Sequence, residues 1–245
     1  PISAVNRPVH VFMAGDSTMA DKPFFKNVKD SLSGDSIPVP FLERGWGQML
    51  PYFLNENVIV KNYAQNGRSS RTFIEQGWWS KIVSEVQAGD YVIIQFGHND
   101  SAEDIPDRYT SPKEYIQNIS RFIDEVKAKG ANPIICTSVV RRRFDKDKNF
   151  IDSHGIYISL AIEVAKEKGV PLIDMYKKSK DLLIKLGENK SIDLFLHIQP
   201  KENSLFPDGK IDNTHFREKG ASMMAALFIE GIKEENIKTL MNELK

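Results

Sequence analysis

Five short runs rich in valine and isoleucine, separated by longer stretches of helical periodicity, constrain this chain more than any other feature. They are Val9 to Ala14, Val58 to Val60, Tyr91 to Phe96, Pro133 to Val139 and Val170 to Ile173. Polar residues do not alternate through them, which is the pattern of strands covered on both faces. Between them lie helix-like segments. The clearest opens with Ser111-Pro112-Lys113-Glu114, an N-cap serine, proline at the first helical position and glutamate at N3. Apolar residues then recur at Tyr115, Ile119, Phe122, Ile123 and Val126, and Gly130 ends the pattern. Other helices are predicted from about Ser153 to Gly169, from Met175 to Leu186, and from Glu218 to the C-terminus. Strands alternating with helices predict right-handed βαβ crossovers and an α/β fold around a central, mostly parallel five-stranded sheet. No repeat, low-complexity tract or Gly/Ser linker divides residues 1–245, so one domain is expected. Asp21 to Phe41 and Ser191 to Ile211 are polar and broken by Pro and Gly, and read as long surface loops.

Charge and cysteine content narrow the partners. The 245 residues carry 33 Lys plus Arg and 33 Asp plus Glu, a balance that points away from nucleic acid and anionic membrane as partners. Cys136 is the one cysteine and sits among isoleucines, a packing position rather than a nucleophile. It offers no internal disulfide, so redox logic leaves the compartment open. No apolar stretch nears the roughly 18 residues that suggest a membrane span. The chain starts at Pro1 without a methionine, so it is expected to be processed, with any signal peptide already removed.

In a parallel α/β sheet, sites form beyond the carboxyl ends of the strands. Ser17 follows the first predicted strand, Asn62 to Ser69 the second, and Gly97-His98-Asn99-Asp100 the third. Asp212 and His215 stand three apart at a turn or helix start entering the last helical region. These are the groups ester cleavage requires. A serine hydroxyl needs a base to take its proton, and the histidine base needs a carboxylate on its other nitrogen. The tetrahedral intermediate needs donors, which the Ser17 and Gly67 N–H groups and the Asn99 amide are able to supply. Taken singly, each has a plainer reading: Ser17 as a helix N-cap, Asp212 as an Asx-turn residue, Gly67 and Asn99 as turn formers.

Together the four blocks resemble the SGNH (GDSL-type) hydrolases. Gly15-Asp16-Ser17 matches the first block, Gly67 the second, Gly97-His98-Asn99-Asp100 the third and Asp212-x-x-His215 the fourth. Thr18 after Gly-Asp-Ser, Asn62-x-Ala64-x-x-Gly67-Arg68-Ser69 and Asp212-Asn213-Thr214-His215-Phe216 are similar to the rhamnogalacturonan acetylesterase branch. The resemblance implies a flavodoxin-like three-layer αβα sandwich. It also implies removal of acetyl groups from a pectic polysaccharide or oligosaccharide with no metal and no cofactor. Ser17, Asp212 and His215 are then the catalytic residues, with Ser17, Gly67 and Asn99 forming the oxyanion hole.

Substrate contacts are expected from Arg68 and Arg71, able to pair with a uronate, and from Trp78 or Trp79, at least one of which belongs to the core. The Arg141-Arg142-Arg143 run reads either as part of this edge or as a solvated cluster. Asp16 is read as structural and His98 as supporting its loop. His10, His154 and His197 are read as surface or structural residues without metal-ligand spacing. An acetylesterase for xylan or another glycan, a lipase, thioesterase or lysophospholipase on the same scaffold, and a carbohydrate-binding domain are the alternatives. A pectic substrate implies an extracellular or periplasmic location. The sequence sets no expectation for oligomeric state.

Overall fold

The computed structural model describes residues 7–245; Pro1 and the five residues after it lie outside that range. Along the chain, β1 (Val9–Gly15) is followed by β2 (Phe25–Lys29), β3 (Ser36–Pro40), a two-residue β4 (Glu43–Arg44), helix α1 (Trp46–Met49) and β5 (Val58–Asn62). Helices α2 (Ser70–Glu75) and α3 (Trp78–Glu85) lead to β6 (Tyr91–Gln95), and α4 (Pro112–Ala128) leads to β7 (Asn132–Cys136). Then come α5 (Tyr157–Glu167), β8 (Leu172–Ile173), α6 (Met175–Ser191), β9 (Phe195–Ile198), β10 (Lys210–Arg217), α7 (Glu218–Glu234) and α8 (Lys238–Met241).

The central sheet has the order β5-β1-β6-β7-β8, with every neighbouring pair parallel. This is the flavodoxin-like order, with the switch point between the second and third strands in space. Strand periodicity now has a visible meaning. On β1, Val11 and Met13 pack into one apolar layer with α1, α6 and α7, while Phe12 and Ala14 pack into the other with α2, α3, α4 and α5. Side chains alternate between faces, and both faces are apolar, which is why the sequence shows no polar alternation. Helix α4 starts as expected: Ser111 Oγ accepts from Glu114 N–H at 3.3 Å. Its five buried apolar residues, Tyr115, Ile119, Phe122, Ile123 and Val126, each contribute roughly 1.5–3 kcal/mol of burial.

Elsewhere the sequence boundaries shift. The fourth predicted strand ends at Cys136, and Thr137 to Val140 continue as buried loop. Helix α5 starts at Tyr157 rather than Ser153, and α6 runs past Leu186 to Ser191 through a kink at Gly187, whose φ is +76°. Both expected surface loops contain strands. Asp21 to Phe41 holds the antiparallel ribbon of β2 and β3. Pro38 and Pro40 disguise it, yet a two-stranded ribbon has only edge strands, where proline is tolerated. Ser191 to Ile211 holds β9 and the start of β10, which join β4 in an antiparallel sheet of order β4-β10-β9. Phe195, Leu196 and Ile198 are buried there, a run too short to stand out between polar neighbours.

Candidate active site

Beyond the end of β1 the chain turns, and the turn is built by its own side chains. Asp16 Oδ1 accepts from Thr18 N–H at 2.9 Å and from the Thr18 hydroxyl at 2.8 Å, and the Asp16 carbonyl accepts from Met19 and Ala20. Thr18 Oγ1 also accepts from Gln95 Nε2 at 2.9 Å, while Gln95 Oε1 takes the Trp46 indole N–H at 3.1 Å. Ser17 is thereby held at the tip, with β6 and α1 fastened behind it. Asp16 is fully buried; desolvation raises its carboxyl above the usual range, against the Thr18 donors and the charges of Arg141 and His215.

Asp212 and His215 lie on β10, not in a loop entering a helix. Residues three apart on a regular strand face opposite sides. Here the register shifts between Asp212 and Phe216, and Asp212 Oδ1 accepts from the N–H groups of Thr214 at 2.9 Å and His215 at 3.0 Å. That local turn swings both side chains to one side. His215 Nδ1 lies 2.8 Å from Asp212 Oδ2, and His215 Nε2 lies 2.9 Å from Ser17 Oγ. Burial pushes the Asp212 carboxyl up, but the His215 hydrogen bond, the His215 charge and the two N–H donors outweigh it and hold the group well below the carboxylate range. An ionised Asp212 only accepts, so Nδ1 carries the proton and Nε2 is left to accept from Ser17. Arg142 buttresses this segment from behind: its N–H donates to the Asn213 carbonyl at 2.7 Å, and its buried guanidinium to Asn213 Oδ1 at 3.1 Å and Ser191 Oγ at 3.1 Å. His197 Nε2 meets the same Asn213 Oδ1 at 2.8 Å.

Gly67 takes a left-handed φ of +73°, which favours glycine. Asn99 Nδ2 donates to the Arg68 carbonyl at 3.0 Å, so the turns after β5 and β6 are joined, and among the described residues the second amide proton has no acceptor. Among the described residues, neither the Ser17 nor the Gly67 N–H has an acceptor. Ser17, Gly67, Asn99 and His215 line one open cleft of about 380 Å³. A larger hollow of about 560 Å³, lined by Arg44, His197, Glu202 and Arg217 among others, contains no nucleophile paired with a base.

Support for the Asn99 loop comes from buried polar groups. His98 Nδ1 lies 3.0 Å from His154 Nε2, and the His98 carbonyl accepts from Arg141 Nη2 at 3.0 Å. Burial, reinforced by nearby positive charge, drives His98 well below its usual value and His154 down to about 3, so both rings are neutral at pH 7. Asp100 Oδ1 accepts from Ser70 N–H at 2.9 Å and Ser70 Oγ at 2.6 Å. Burial, aided by Asp16, still pushes its carboxyl from 3.8 up to about 6. The sign follows: the folded state retains a proton that the unfolded chain releases, so this stabilisation is present below about pH 4 and lost as pH rises through about 6. Asp100→Asn keeps an acceptor for Ser70 and removes the ionisation. Between pH 4 and 7 the native protein should therefore lose about 2–3 kcal/mol relative to the variant in urea unfolding. Parallel stability curves for the two proteins would exclude Asp100 as the source.

Several expected substrate contacts are spoken for. Trp79 is 1% exposed, packed in the core with its ring tilted against Phe122 at 4.2 Å between centroids, so it presents no face to a sugar. Trp78 is half-buried on α3 with the Lys81 ammonium 4.0 Å over its ring, and does not line the cleft. Arg71 binds Glu75 and the Tyr109 and Pro106 carbonyls, which makes it a clamp on the loop after Asp100. Arg68 donates to Gln76 and to the Asn66 carbonyl. The three consecutive arginines diverge, with Arg141 lining the cleft, Arg142 buried and Arg143 exposed. Sequence reasoning missed Arg108, Glu43, Asn66 and Lys22. The first three line the cleft, and Lys22 is buried against Glu43 at 2.7 Å. Asn66 stands beside Gly67 in the turn after β5, whereas Arg108, Glu43 and Lys22 have no local pattern to mark them and are brought there by tertiary packing.

A hydroxyl, an imidazole and a carboxylate in hydrogen-bonded series beyond the strand ends of a parallel sheet define the class of serine ester hydrolases. The chain belongs to the GDSL-like Lipase/Acylhydrolase family, whose model matches residues 28–222, a span that contains Gly67, Asn99, Asp212 and His215. It is 39% identical to rhamnogalacturonan acetylesterase RhgT of Bacillus subtilis (strain 168), covering 94% of this chain and 92% of that protein. It is 34% identical to the probable rhamnogalacturonan acetylesterase YesY of the same strain, covering 92% and 93%. The crystal structure of the Bacillus subtilis protein YxiM shares the fold, with a TM-score of 0.74 and 24% identity over 94% of this chain and 57% of that one.

Proposed function

We propose that this protein removes O-acetyl groups from a pectic, rhamnogalacturonan-like polysaccharide through an acetyl-serine intermediate. The observation that carries this reading is the unbroken series Ser17 Oγ, His215 Nε2, His215 Nδ1 and Asp212 Oδ2, at 2.9 and 2.8 Å. In the first step His215 takes the hydroxyl proton as Ser17 attacks the acetyl carbonyl. Charge develops on the carbonyl oxygen beside the free Ser17 and Gly67 N–H groups and the Asn99 amide. The protonated His215 then gives its proton to the departing sugar oxygen, leaving acetyl-Ser17. Water, deprotonated by His215, releases acetate and restores the hydroxyl.

The cleft supports a short acyl group on a polar alcohol. Glu43, Asn66, Asn99, Arg108, Arg141 and Thr214 line it, with no apolar channel for a fatty acyl chain. The relatives' names supply the pectic half of the reading. An extracellular or periplasmic location goes with that substrate, which lies outside the cytoplasm. Acetate release from acetylated rhamnogalacturonan and from acetylxylan, measured side by side, tests the assignment. Faster release from the pectic polymer is expected. Faster release from xylan overturns it, and a carbohydrate-binding role would be indicated by sugar binding without labelling of Ser17 by a phosphonate ester.

A further inference from the structure

We propose that Arg108 determines specificity by reading a carboxylate carried within one sugar ring of the scissile acetyl ester. The proposal rests on the acetylesterase reading above and names the chemical feature of the substrate that this residue selects. Arg108 reaches over the two turns that hold the oxyanion donors. A Cβ built on Gly67 would stand 3.6 Å from the Arg108 Cζ and Nη2, and Nη1 lies 3.5 Å from Asn99 Oδ1. A guanidinium there sits beside the reacting ester rather than at the rim of the molecule.

The other cations around this cleft are already committed. Lys22 pairs with Glu43, Lys210 lies 3.3 Å from Asp212, and Arg71 pairs with Glu75. Arg141 donates to the His98 carbonyl and faces the charge of the buried Asp16. Arg68 spends its donors on Gln76 Oε1 and the Asn66 carbonyl. Arg108 differs: among the described residues it has neither a carboxylate within 4.0 Å nor a short donor contact, and Glu103, Asp104 and Asp107 on its own loop are exposed and do not reach it. Its one long contact to a neutral amide leaves most of the planar donor fork unused. That fork matches a carboxylate in bidentate geometry.

The backbone that carries it is fastened on both sides. Arg108 N–H and Tyr109 N–H both donate to the Ile105 carbonyl, at 2.9 and 3.0 Å. Arg71 donates to the carbonyls of Pro106 at 3.0 Å and Tyr109 at 3.1 Å, and Thr110 N–H closes the loop onto the Asp100 carbonyl at 3.1 Å. An exposed arginine held this way has little backbone entropy left to lose when it binds an anion. The expectation of a uronate-pairing arginine therefore moves from Arg68 and Arg71 to Arg108, with Arg71 acting as the clamp that places it.

The test compares acetylated rhamnogalacturonan oligosaccharides carrying free carboxylates with the same oligosaccharides after methyl esterification of those carboxyls. The native enzyme should favour the free acids by about tenfold to a hundredfold in kcat/KM, the range of a charge-assisted hydrogen-bond pair. Arg108→Gln should bring that ratio close to one, chiefly through KM for the free acids, and Arg108→Lys should restore part of it. Equal losses on both oligosaccharides would mean that Arg108 only positions Asn99, and the proposal fails. An unaltered ratio also overturns it. If the native enzyme releases acetate from neither oligosaccharide, the pectic assignment falls and takes this proposal with it; the outcomes are thus distinguishable.

Discussion

Ser17→Ala should lower the rate of acetate release by about 10⁴- to 10⁶-fold, down to the level that oriented binding and oxyanion donors alone sustain. In the proposed mechanism the substitution removes the single atom that bonds to the acetyl carbon, together with the hydroxyl that lies 2.9 Å from His215 Nε2. It leaves the turn in place, because Asp16, Thr18 and Gln95 build that turn without the Ser17 side chain. Thermal unfolding should therefore stay within about 2 °C of the native midpoint, as for other substitutions outside the core. Activity within tenfold of native from a clean preparation would remove Ser17 from the mechanism. A lowered midpoint accompanying the loss would point to the turn instead.

Asp212→Asn should cost about 10⁴-fold in kcat, and the reason is the tautomer. The amide oxygen of the substituted side chain still accepts from the Thr214 and His215 N–H groups, so the turn within β10 survives. The position now taken by Oδ2 becomes an amide donor facing Nδ1. That favours the ring form with its proton on Nε2, aimed at Ser17 and unable to accept. The depressed carboxyl of Asp212 adds a pH statement. Its folded-state value lies below the usual 3.8, so its contribution to stability is complete above the unfolded value and is lost as pH falls through the folded one. Through neutral pH its charge is constant, and any change of rate there has another origin. Rates for the variant close to native at all pH values would show that Asp212 orients nothing.

The parallel sheet was legible because its runs are predominantly apolar, and its inner strands β1, β6 and β7 are largely buried on both faces. The small antiparallel sheet was not. Phe195, Leu196 and Ile198 make a short apolar run, and β4 is only two residues long. Such strands exist through pairing with β10, a long-range term that no local window contains. The same blindness placed Asp212 and His215 at a turn or helix start before the last helix; the turn is there, but it lies within β10. A spacing of three suits a helix or a turn, and only the register shift in β10 lets a strand present both residues to one side. Trp79 is the core member expected of the aromatic pair, packed against Phe122, whereas Trp78, the one left to meet a sugar, does not line the cleft.

What the amino-acid order determined by itself is the set of candidate groups: a serine after the first strand, an Asp-x-x-His near the end, and Gly67 and Asn99 between them. Those identities are local, set by residue type and by position at strand ends. Tertiary structure alone decided how the groups meet and what surrounds them. Ser17 and His215 are 198 positions apart and 2.9 Å apart in space, a distance produced by packing β10 beside the β1 turn. Arg108 comes to the cleft from the loop after β6, Glu43 from β4 and Asn66 from the turn after β5. Reactivity follows from the kind of side chain, whereas a binding surface is assembled from whichever side chains the fold happens to bring together.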